Sequence, residues 1–308
     1  MKLDGRRLVV AFNPHSSRAS RVHENVFYRL DEAGFKYQKI EVLQASLEDN
    51  VRHIVPKLQA GDVIISTAGD GSAHAVANAV IASKLNVSVG FLAYGNFNDL
   101  AHTFNTRFTR TDPIALLESA HEQDMAPLDI YVNKKIVRHA LLYSTFGWTA
   151  RAADEFNKSG ARQSLQTGGA GIMRSVIRLA SFYKKSRREG RLPAMRLNGQ
   201  PENKLTDVMC VNGSHLARIF RTAQKYYNQN VFLVKTLDVS GLLKNIGFLA
   251  KSTLGRMPGQ KHESIEMVFD KPVAVPMQCD GEVVKLQAVD RILVSKSTDF
   301  IRVLTTKL

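Results

Sequence analysis

The stretch Ser66-Thr67-Ala68-Gly69-Asp70-Gly71-Ser72 joins two segments of opposite character. Before it, the apolar run Val63-Ile64-Ile65 is typical of a buried strand. After it, residues 73–82 are rich in alanine and contain neither glycine nor proline, which favours a helix. The sequence therefore predicts a strand, a glycine turn and a helix.

This turn is a candidate phosphate-binding loop, because backbone N–H groups and a helix N-terminus would point at one spot. A carboxylate repels phosphate unless a cation lies between them, so Asp70 in the loop indicates bound Mg²⁺. The same residues allow a simpler interpretation, in which Asp70 or Ser72 only caps the helix.

The chain lacks the motifs of three other nucleotide-binding classes. Gly69-Asp70-Gly71 is followed by Ser72-Ala73-His74, so the third glycine of a dinucleotide-binding fingerprint is missing. Neither a G-x-x-x-x-G-K-[ST] P-loop nor the D-F-G and H-R-D pieces of protein kinases occur.

Strands and helices alternate on both sides of the loop. Apolar runs predict strands at residues 8–12, 35–42, 63–65 and 87–92, and helical spacing predicts a helix between each pair. This alternation predicts an α/β domain with a parallel sheet. Ligands bind beyond the carboxyl ends of such strands, where Asn13, the Gly69 loop and residues 93–99 follow three of them.

After about residue 126 the pattern changes to short strands joined by turns. Residues 128–132 and 136–143 are separated only by Asn133-Lys134-Lys135, which is typical of a hairpin. The sequence therefore predicts an α/β domain over 1–126 and an antiparallel β-sandwich over 127–290. A tail over 291–308 is expected to return to the first domain.

Composition indicates a cytoplasmic protein with an anionic partner. The 308 residues include 42 Lys and Arg against 28 Asp and Glu, a net charge of +14. No apolar run is long enough to span a membrane, and the N-terminus does not have the pattern of a signal peptide. Cys210 and Cys279 are interpreted as reduced thiols.

Residues 172–191 predict a basic amphipathic helix, whose charges include Arg187, Arg188 and Arg191. One interpretation is a helix packed on the sandwich with a solvated basic face. The other is contact with an anionic membrane surface. A weaker second case runs from Leu242 to Arg256.

Four pieces stand in a fixed order along the chain: Asn13-Pro14-x-Ser16, Gly69-Asp70-Gly71-Ser72, Gly95-x-x-Asn98-Asp99-Leu100-Ala101 and Asp280-Gly281-Glu282. Together they resemble the diacylglycerol kinase catalytic-domain superfamily, which includes bacterial soluble lipid kinases. Sphingosine and ceramide kinases are related to it, and NAD kinases more distantly.

The resemblance implies an α/β nucleotide-binding domain, a β-sandwich lipid-substrate domain, and ATP with Mg²⁺ between them. The implied nucleotide-binding residues are Asn13, Pro14, Ser16, Ser17, Gly69, Asp70, Gly71, Ser72, Asn96, Asn98 and Asp99. Asp70 is the expected Mg²⁺ ligand. Asp280 or Glu282 would be the general base for the lipid hydroxyl, with a slight preference for Glu282. Asp280-Gly281 is also typical of a hairpin turn.

The sequence departs from the family pattern at several of these positions. Ala68 replaces the first glycine of GGDGT, Ser72 its threonine, and Ser17 the glycine of NPxSG. Phe97 stands where GTGND has glycine, and a bulky side chain there would crowd the phosphates. Residues 228–230, Asn-Gln-Asn, replace an acidic turn that holds a structural Mg²⁺ in some members, so we expect that metal site to be lost.

Three functional hypotheses follow. The first is an ATP-dependent lipid kinase that is cytoplasmic and peripherally membrane-associated. The second is a catalytically impaired member of the fold that binds nucleotide or lipid. The third is nucleic-acid binding by the basic surface, which we do not expect because no recognition helix or aromatic RNA-binding signature is present.

Overall fold

The computed structural model describes residues 3, 5–16, 18–95, 98–158, 191–216, 220–222, 225–238, 251–252 and 254–307. The chain forms two compact units. The first comprises Met1–Pro127, His215–Arg218 and Ser297–Leu308, and the second comprises Leu128–Ser214 and Ile219–Lys296. The boundary placed at residue 290 differs from the observed change of unit after Lys296, because the last long strand continues through residue 296.

The first unit is a sheet of mostly parallel strands with helices in the connections. Its elements are β1 (Leu8–Phe12), α1 (Ala19–Val22), a π-helical turn (His23–Phe27), α2 (Tyr28–Glu32), β2 (Tyr37–Glu41), α3 (Leu47–Ile54), a 3₁₀ turn (Val55–Lys57), β3 (Val63–Ser66), α4 (Asp70–Ser83), β4 (Ser88–Phe91), α5 (Asp99–Phe104), α6 (Pro113–Ser119), β5 (His121–Met125), β12 (His215–Leu216) and β18 (Ile301–Thr305).

The strand order in this sheet is β2-β1-β3-β4-β18-β5. The first five strands are parallel, and β5 pairs antiparallel with β18. Every residue of β1, β3 and β4 is buried, as expected for central parallel strands covered on both faces. The predicted parallel α/β domain is therefore confirmed.

Pro56 lies in a 3₁₀ turn that follows helix α3. Helix α3 begins after Ser46, whose Oγ accepts a hydrogen bond from the Asp49 N–H at 3.1 Å, and ends at Ile54. Proline lacks the N–H that an α-helix needs, so the chain tightens there and leaves the helix.

The second unit is antiparallel. Its elements are β6 (Leu128–Val132), β7 (Lys135–Ala140), β8 (Tyr143–Gly147), α7 (Trp148–Lys158), β9 (Met195–Leu197), β10 (Gln200–Glu202), β11 (Leu205–Val211), β13 (Phe220–Arg221), β14 (Phe232–Asp238), β15 (Gln260–His262), β16 (Ser264–Cys279) and β17 (Glu282–Lys296).

Within the described residues, the main sheet follows the order β15-β14-β11-β8-β16-β17-β6-β7, with β9 and β10 attached through β16. The predicted hairpin of β6 and β7 is present, and its turn residues Asn133 and Lys134 have positive φ. The predicted antiparallel second domain is confirmed.

Strands β16 and β17 form one long hairpin where the sequence predicted several short strands. Register shifts between Val268 and Val275 interrupt the pairing, and Ala288 has a φ of +49°. Bulges of this kind break the alternation of apolar and polar residues, which is the signal that sequence reading uses to trace one strand.

No helix in the described ranges combines the length and hydropathy required to cross a bilayer.

Candidate functional site

Three loops of the first unit meet beyond the carboxyl ends of β1, β3 and β4. Asn13 follows β1, and its Nδ2 lies 3.4 Å from Ser72 Oγ in the first turn of α4, which follows β3. The Asn98 N–H, in the loop after β4, donates to Asp70 Oδ2 at 2.8 Å. The structure thus brings together residues that the sequence placed in three separate turns.

The loops after β3 and β4 approach each other through glycine backbone. A Cβ at Gly95 would lie far inside van der Waals contact with Gly69 Cα and 2.9 Å from Asn98 Oδ1. A Cβ at Gly69 would lie 3.3 Å from Gly95 Cα. Because the two loops pack main chain against main chain, Gly95 has no room for a larger residue, and a Cβ at Gly69 would make a tight contact.

The Asn98 side chain fixes the conformation of the second loop. Its Oδ1 accepts a hydrogen bond from the Gly95 N–H at 2.6 Å, and its Nδ2 donates to the Gly95 oxygen at 2.8 Å. Asn98 has a φ of +57°, a left-handed conformation that asparagine tolerates better than most residues. The loop is therefore held in shape by its own side chain.

Helix α4 presents its N-terminus to this site. It begins at Asp70, and its N-cap residue Gly69 provides no side-chain hydrogen bond. Asp70 accepts from the Asn98 N–H on the neighbouring loop, and Ser72 lies against Asn13. First-turn N–H groups of such a helix suit an anionic ligand.

Ser16 Oγ is a buried polar atom with no hydrogen-bond partner in the described part of the chain. Its residue follows β1 in the same loop as Asn13, and its N–H donates to the Asn13 oxygen at 3.1 Å. A buried hydroxyl that is left unsatisfied costs free energy, so a ligand oxygen here would be stabilised.

The electrostatics at Asp70 favour a cation. Burial and the nearby Asp99 carboxylate raise the pKa of Asp70 to about 8, against the opposing effect of backbone N–H groups of residues 98–100. Asp99 itself is 2% exposed. No group of three His, Cys, Asp or Glu side chains in the described ranges could hold a metal alone. Two carboxylates with substrate phosphates are, however, a usual arrangement for Mg²⁺, and these residues fit it.

Arg18 is a site residue that the sequence reading did not select. Its Nη1 donates to the Gly95 oxygen at 2.8 Å, which ties the segment after β1 to the loop after β4. The only sequence signal for Arg18 was its position five residues after Asn13.

In the second unit, Asp280 lies at the turn between β16 and β17. Asp280 and Gly281 have φ values of +45° and +93°, so the hairpin-turn interpretation of these residues is confirmed. The Asp280 carboxylate is buried and accepts hydrogen bonds from the backbone N–H groups of residues 141–143 at 2.6, 2.8 and 3.0 Å.

Glu282 is the more accessible of the two carboxylates. It is the first residue of β17, and its side chain is 29% exposed. Its Oε1 lies 3.9 Å from Nη2 of Arg138, which is 8% exposed. The distance leaves the carboxylate outside direct hydrogen-bond contact with this guanidinium nitrogen.

A second polar group holds the same 141–143 segment. Asn212 Nδ2 donates to the Leu141 oxygen at 2.8 Å, and Lys296 Nζ donates to Asn212 Oδ1 at 2.6 Å. Burial lowers the pKa of Lys296 to about 8. Lys296 falls in the predicted returning tail, and no sequence pattern indicated this contact, which joins residues 84 positions apart.

Several predicted site residues lie outside the described residues. They are Ser17, Asn96 and residues 172–190 of the basic helix, together with the departure Phe97. The Asn228-Gln229-Asn230 turn is described, and all three residues are exposed.

The first unit thus carries a parallel α/β fold with glycine loops at the rim of its sheet. Residues 7–132 match the family model described as the diacylglycerol kinase catalytic domain. The match confirms the resemblance seen in the sequence, and it covers this segment of the chain.

Solved structures with the same fold span nearly the whole chain. A candidate diacylglycerol kinase from Bacillus anthracis str. Sterne superposes with a TM-score of 0.68 at 14% identity, covering 97% of this chain and 96% of its own. A structure described as a diacylglycerol kinase from the same organism gives a TM-score of 0.67 at 15% identity, covering 97% of both chains. No curated protein sequence matches the chain.

Proposed function

We propose that the protein is an ATP-dependent lipid kinase that transfers the γ-phosphoryl group to a lipid hydroxyl. The observation that carries the proposal is the backbone contact between the Gly69 and Gly95 loops beside the N-terminus of α4. The first N–H groups of a helix have no partner within the helix, so the start of α4 beside these loops suits a phosphate chain. The family of residues 7–132 supports a kinase of lipids.

The nucleotide would be held by residues of the first unit. Ser16 Oγ and the N–H groups at the start of α4 supply donors for phosphate oxygens. Asp70 and Asp99 are the proposed ligands of Mg²⁺, which neutralises phosphate charge when bound. The Asn13 side chain would keep Ser72 in position, since the two lie in hydrogen-bond contact.

Glu282 is the proposed base. The lipid hydroxyl oxygen forms the new bond to the γ-phosphorus, the bond from that phosphorus to the bridging oxygen of ADP breaks, and the hydroxyl proton passes to Glu282. Its 29% exposed side chain supports this role. Asp280 suits it less, because both carboxylate oxygens already accept backbone hydrogen bonds.

The test is a transfer assay with radiolabelled ATP and Mg²⁺ on mixed micelles of diacylglycerol, sphingosine, ceramide and other lipid alcohols. We expect phosphorylation of at least one lipid, and loss of transfer in Asp70→Asn. Asp270→Asn is the matched control, because its side chain is 73% exposed and far along β16 from the Asp280 turn. Activity of Asp70→Asn equal to wild type would contradict the assignment.

The alternative is a catalytically impaired member that binds nucleotide or lipid without turnover. Ala68, which is 4% exposed, and Phe97 replace glycines of the family pattern, and these replacements favour it. Calorimetry with ATP and Mg²⁺ separates the two proposals: binding without transfer to any lipid would support the impaired member, and transfer would exclude it.

Peripheral membrane association is part of the proposed function. The basic helix predicted over 172–191 is one proposed contact, and changing Arg187, Arg188 and Arg191 to Gln should weaken binding to anionic vesicles. We do not expect nucleic-acid binding at physiological salt.

A further inference from the structure

The chain between residues 208 and 262 is strongly asymmetric in charge. It contains eight Lys and Arg residues and a single acidic residue, Asp238. The protein as a whole has a ratio of only 42 to 28. An excess of this size along one segment produces a local positive field wherever the side chains reach solvent.

The described residues of this segment include four accessible basic side chains and one exposed apolar residue, and two of the cations, Lys251 and Arg256, lie in the same turn as that residue. Lys251, Arg256 and Lys261 are exposed, Lys225 is half-buried, and Leu254 is 78% exposed. We call these five residues the basic edge. None of its four cations forms an ion pair with a carboxylate in the described part of the chain.

Leu254 is held at the tip of a tight turn. The Arg256 N–H donates to the Lys251 oxygen at 2.8 Å, and the Gly255 N–H donates to the Ser252 oxygen at 3.1 Å. Gly255 has a φ of +77°. These are the two hydrogen bonds of a Schellman turn, which closes the turn that carries Leu254.

The turn leads directly onto the edge of the sheet. A Cβ at Gly259 would lie 2.6 Å from the Val234 oxygen, so the chain closely follows β14 before it enters β15. Strand β15 is the terminal strand of the described sheet. Lys261 within it has its Nζ 6.0 Å from the centre of the Tyr226 ring, and Lys225 lies 5.9 Å from that of Tyr227.

We propose that the basic edge docks onto an anionic lipid bilayer, with Leu254 entering the headgroup region and the four cations contacting lipid phosphates. The proposal rests on the proposed lipid-kinase function and names a surface through which that enzyme reaches its substrate. An exposed leucine next to cations suits a bilayer surface, where an apolar side chain enters the headgroup region while basic side chains contact the lipid phosphates.

Nucleic acid fits this surface less well. Proteins that bind single-stranded nucleic acid stack its bases on exposed aromatic rings, whereas Tyr226 and Tyr227 are only 5% and 1% exposed. Leu254 would have no favourable contact on a phosphate backbone.

The experiment is co-sedimentation of the full chain, without ATP, with sucrose-loaded vesicles. One set contains phosphatidylcholine alone and the other contains phosphatidylcholine with phosphatidylglycerol. The combined variant Lys251→Gln, Arg256→Gln and Lys261→Gln should lower the partition coefficient on anionic vesicles about 100-fold. Each lost charge removes about 1 kcal/mol of binding free energy, and about 1.4 kcal/mol corresponds to a tenfold change. Leu254→Ser should lower it about tenfold.

Matched controls come from the first unit. Phe300 is 66% exposed and the Arg52 side chain is 77% exposed, so Phe300→Ser and Arg52→Gln remove the same kinds of group elsewhere. Both should bind anionic vesicles as wild type does. Circular dichroism should show all variants folded, because every altered side chain is at the surface.

Vesicle binding by the triple variant equal to wild type would overturn the proposal, and so would equal affinity of wild type for neutral and anionic vesicles. If a duplex oligonucleotide displaced the protein from anionic vesicles and Leu254→Ser bound those vesicles as wild type does, the basic edge would be assigned to nucleic acid instead. None of these outcomes depends on turnover. Transfer to a lipid in detergent micelles tests the kinase function separately.

Discussion

Asp280→Asn and Glu282→Gln should affect different properties of the protein, although only Gly281 separates the two carboxylates. Asp280 is 1% exposed, and its carboxylate accepts hydrogen bonds from the N–H groups of residues 141–143. The Glu282 side chain is 29% exposed and lies 3.9 Å from Arg138. We therefore expect the first substitution to affect stability and the second to affect chemistry.

The size of the effect follows from the three hydrogen bonds. Asparagine has one oxygen, so it keeps the bonds at 2.8 and 3.0 Å and turns its NH₂ group toward the third N–H. A hydrogen bond to a charged group contributes about 1.5–3 kcal/mol, and a buried donor without an acceptor costs about 1–3 kcal/mol. A net loss of about 3 kcal/mol would lower Tm by roughly 6–12 °C for a unit of this size.

Thermal unfolding followed by circular dichroism measures the stability change, and hydrogen exchange of the 141–143 amides locates it. Glu282→Gln should change the free energy of unfolding less than Asp280→Asn does, because the Glu282 side chain is 29% exposed. Its kcat should fall about 10²–10⁴-fold while ATP affinity stays the same, because the base contacts the alcohol.

A Tm of Asp280→Asn within about 2 °C of wild type, with unchanged exchange of those amides, would refute the anchoring role of Asp280. Near-normal kcat in both variants would remove the catalytic assignment of Glu282. Loss of ATP binding in both would make the two carboxylates part of the nucleotide site. Asp270→Asn serves as control in each assay.

Three further predictions concern single positions. Asp70→Asn should abolish Mg²⁺-dependent ATP binding in calorimetry with little change in circular dichroism, and unchanged affinity would exclude a metal role. Gly95→Ala should lower the Tm, because the added Cβ would clash with Gly69. Gly71→Ala has open space around its Cβ, so it should keep or raise the Tm and yet weaken ATP binding. Equal Tm values for the two variants would contradict the loop contact. Burial raises the pKa of Asp207 to about 7, so the folded state keeps a proton that the unfolded chain releases at a pH of about 4. The free energy of unfolding should therefore fall as pH rises from about 4 to about 7, by at most about 1.4 kcal/mol per pH unit. Urea titrations at several pH values should show that Asp207→Asn lacks this contribution to the pH dependence.

Much of the first unit could be predicted from local sequence. Residues 63–83 carry a buried strand, a glycine turn and an alanine-rich helix, and β3 and α4 occupy this range. Propensity and periodicity act over a few residues, so they need no knowledge of distant parts of the chain. The parallel sheet could be predicted from the repeated alternation of strands and helices, because a helix between two strands connects them in parallel in nearly all folds.

The candidate site was predicted as a set of turns, but not as a set of contacts. Asn13 and Ser72 are 59 residues apart in sequence, and Arg18 reaches Gly95 across 77. No local pattern records such distances. The glycine requirement at Gly95 likewise comes from Gly69 on another loop, rather than from a turn within its own.

The long-range pairings were decided by the tertiary structure alone. Strand β18, at the end of the chain, lies between β4 and β5 because the sheet offers it an unpaired edge there. Asp280 meets the N–H of Leu141 across 139 residues, where a buried carboxylate satisfies donors that the β7–β8 connection leaves free. The sequence by itself determined which segments become strands and helices and where polar turns stand. Burial and hydrogen-bond satisfaction over long distances decided which of those turns meet.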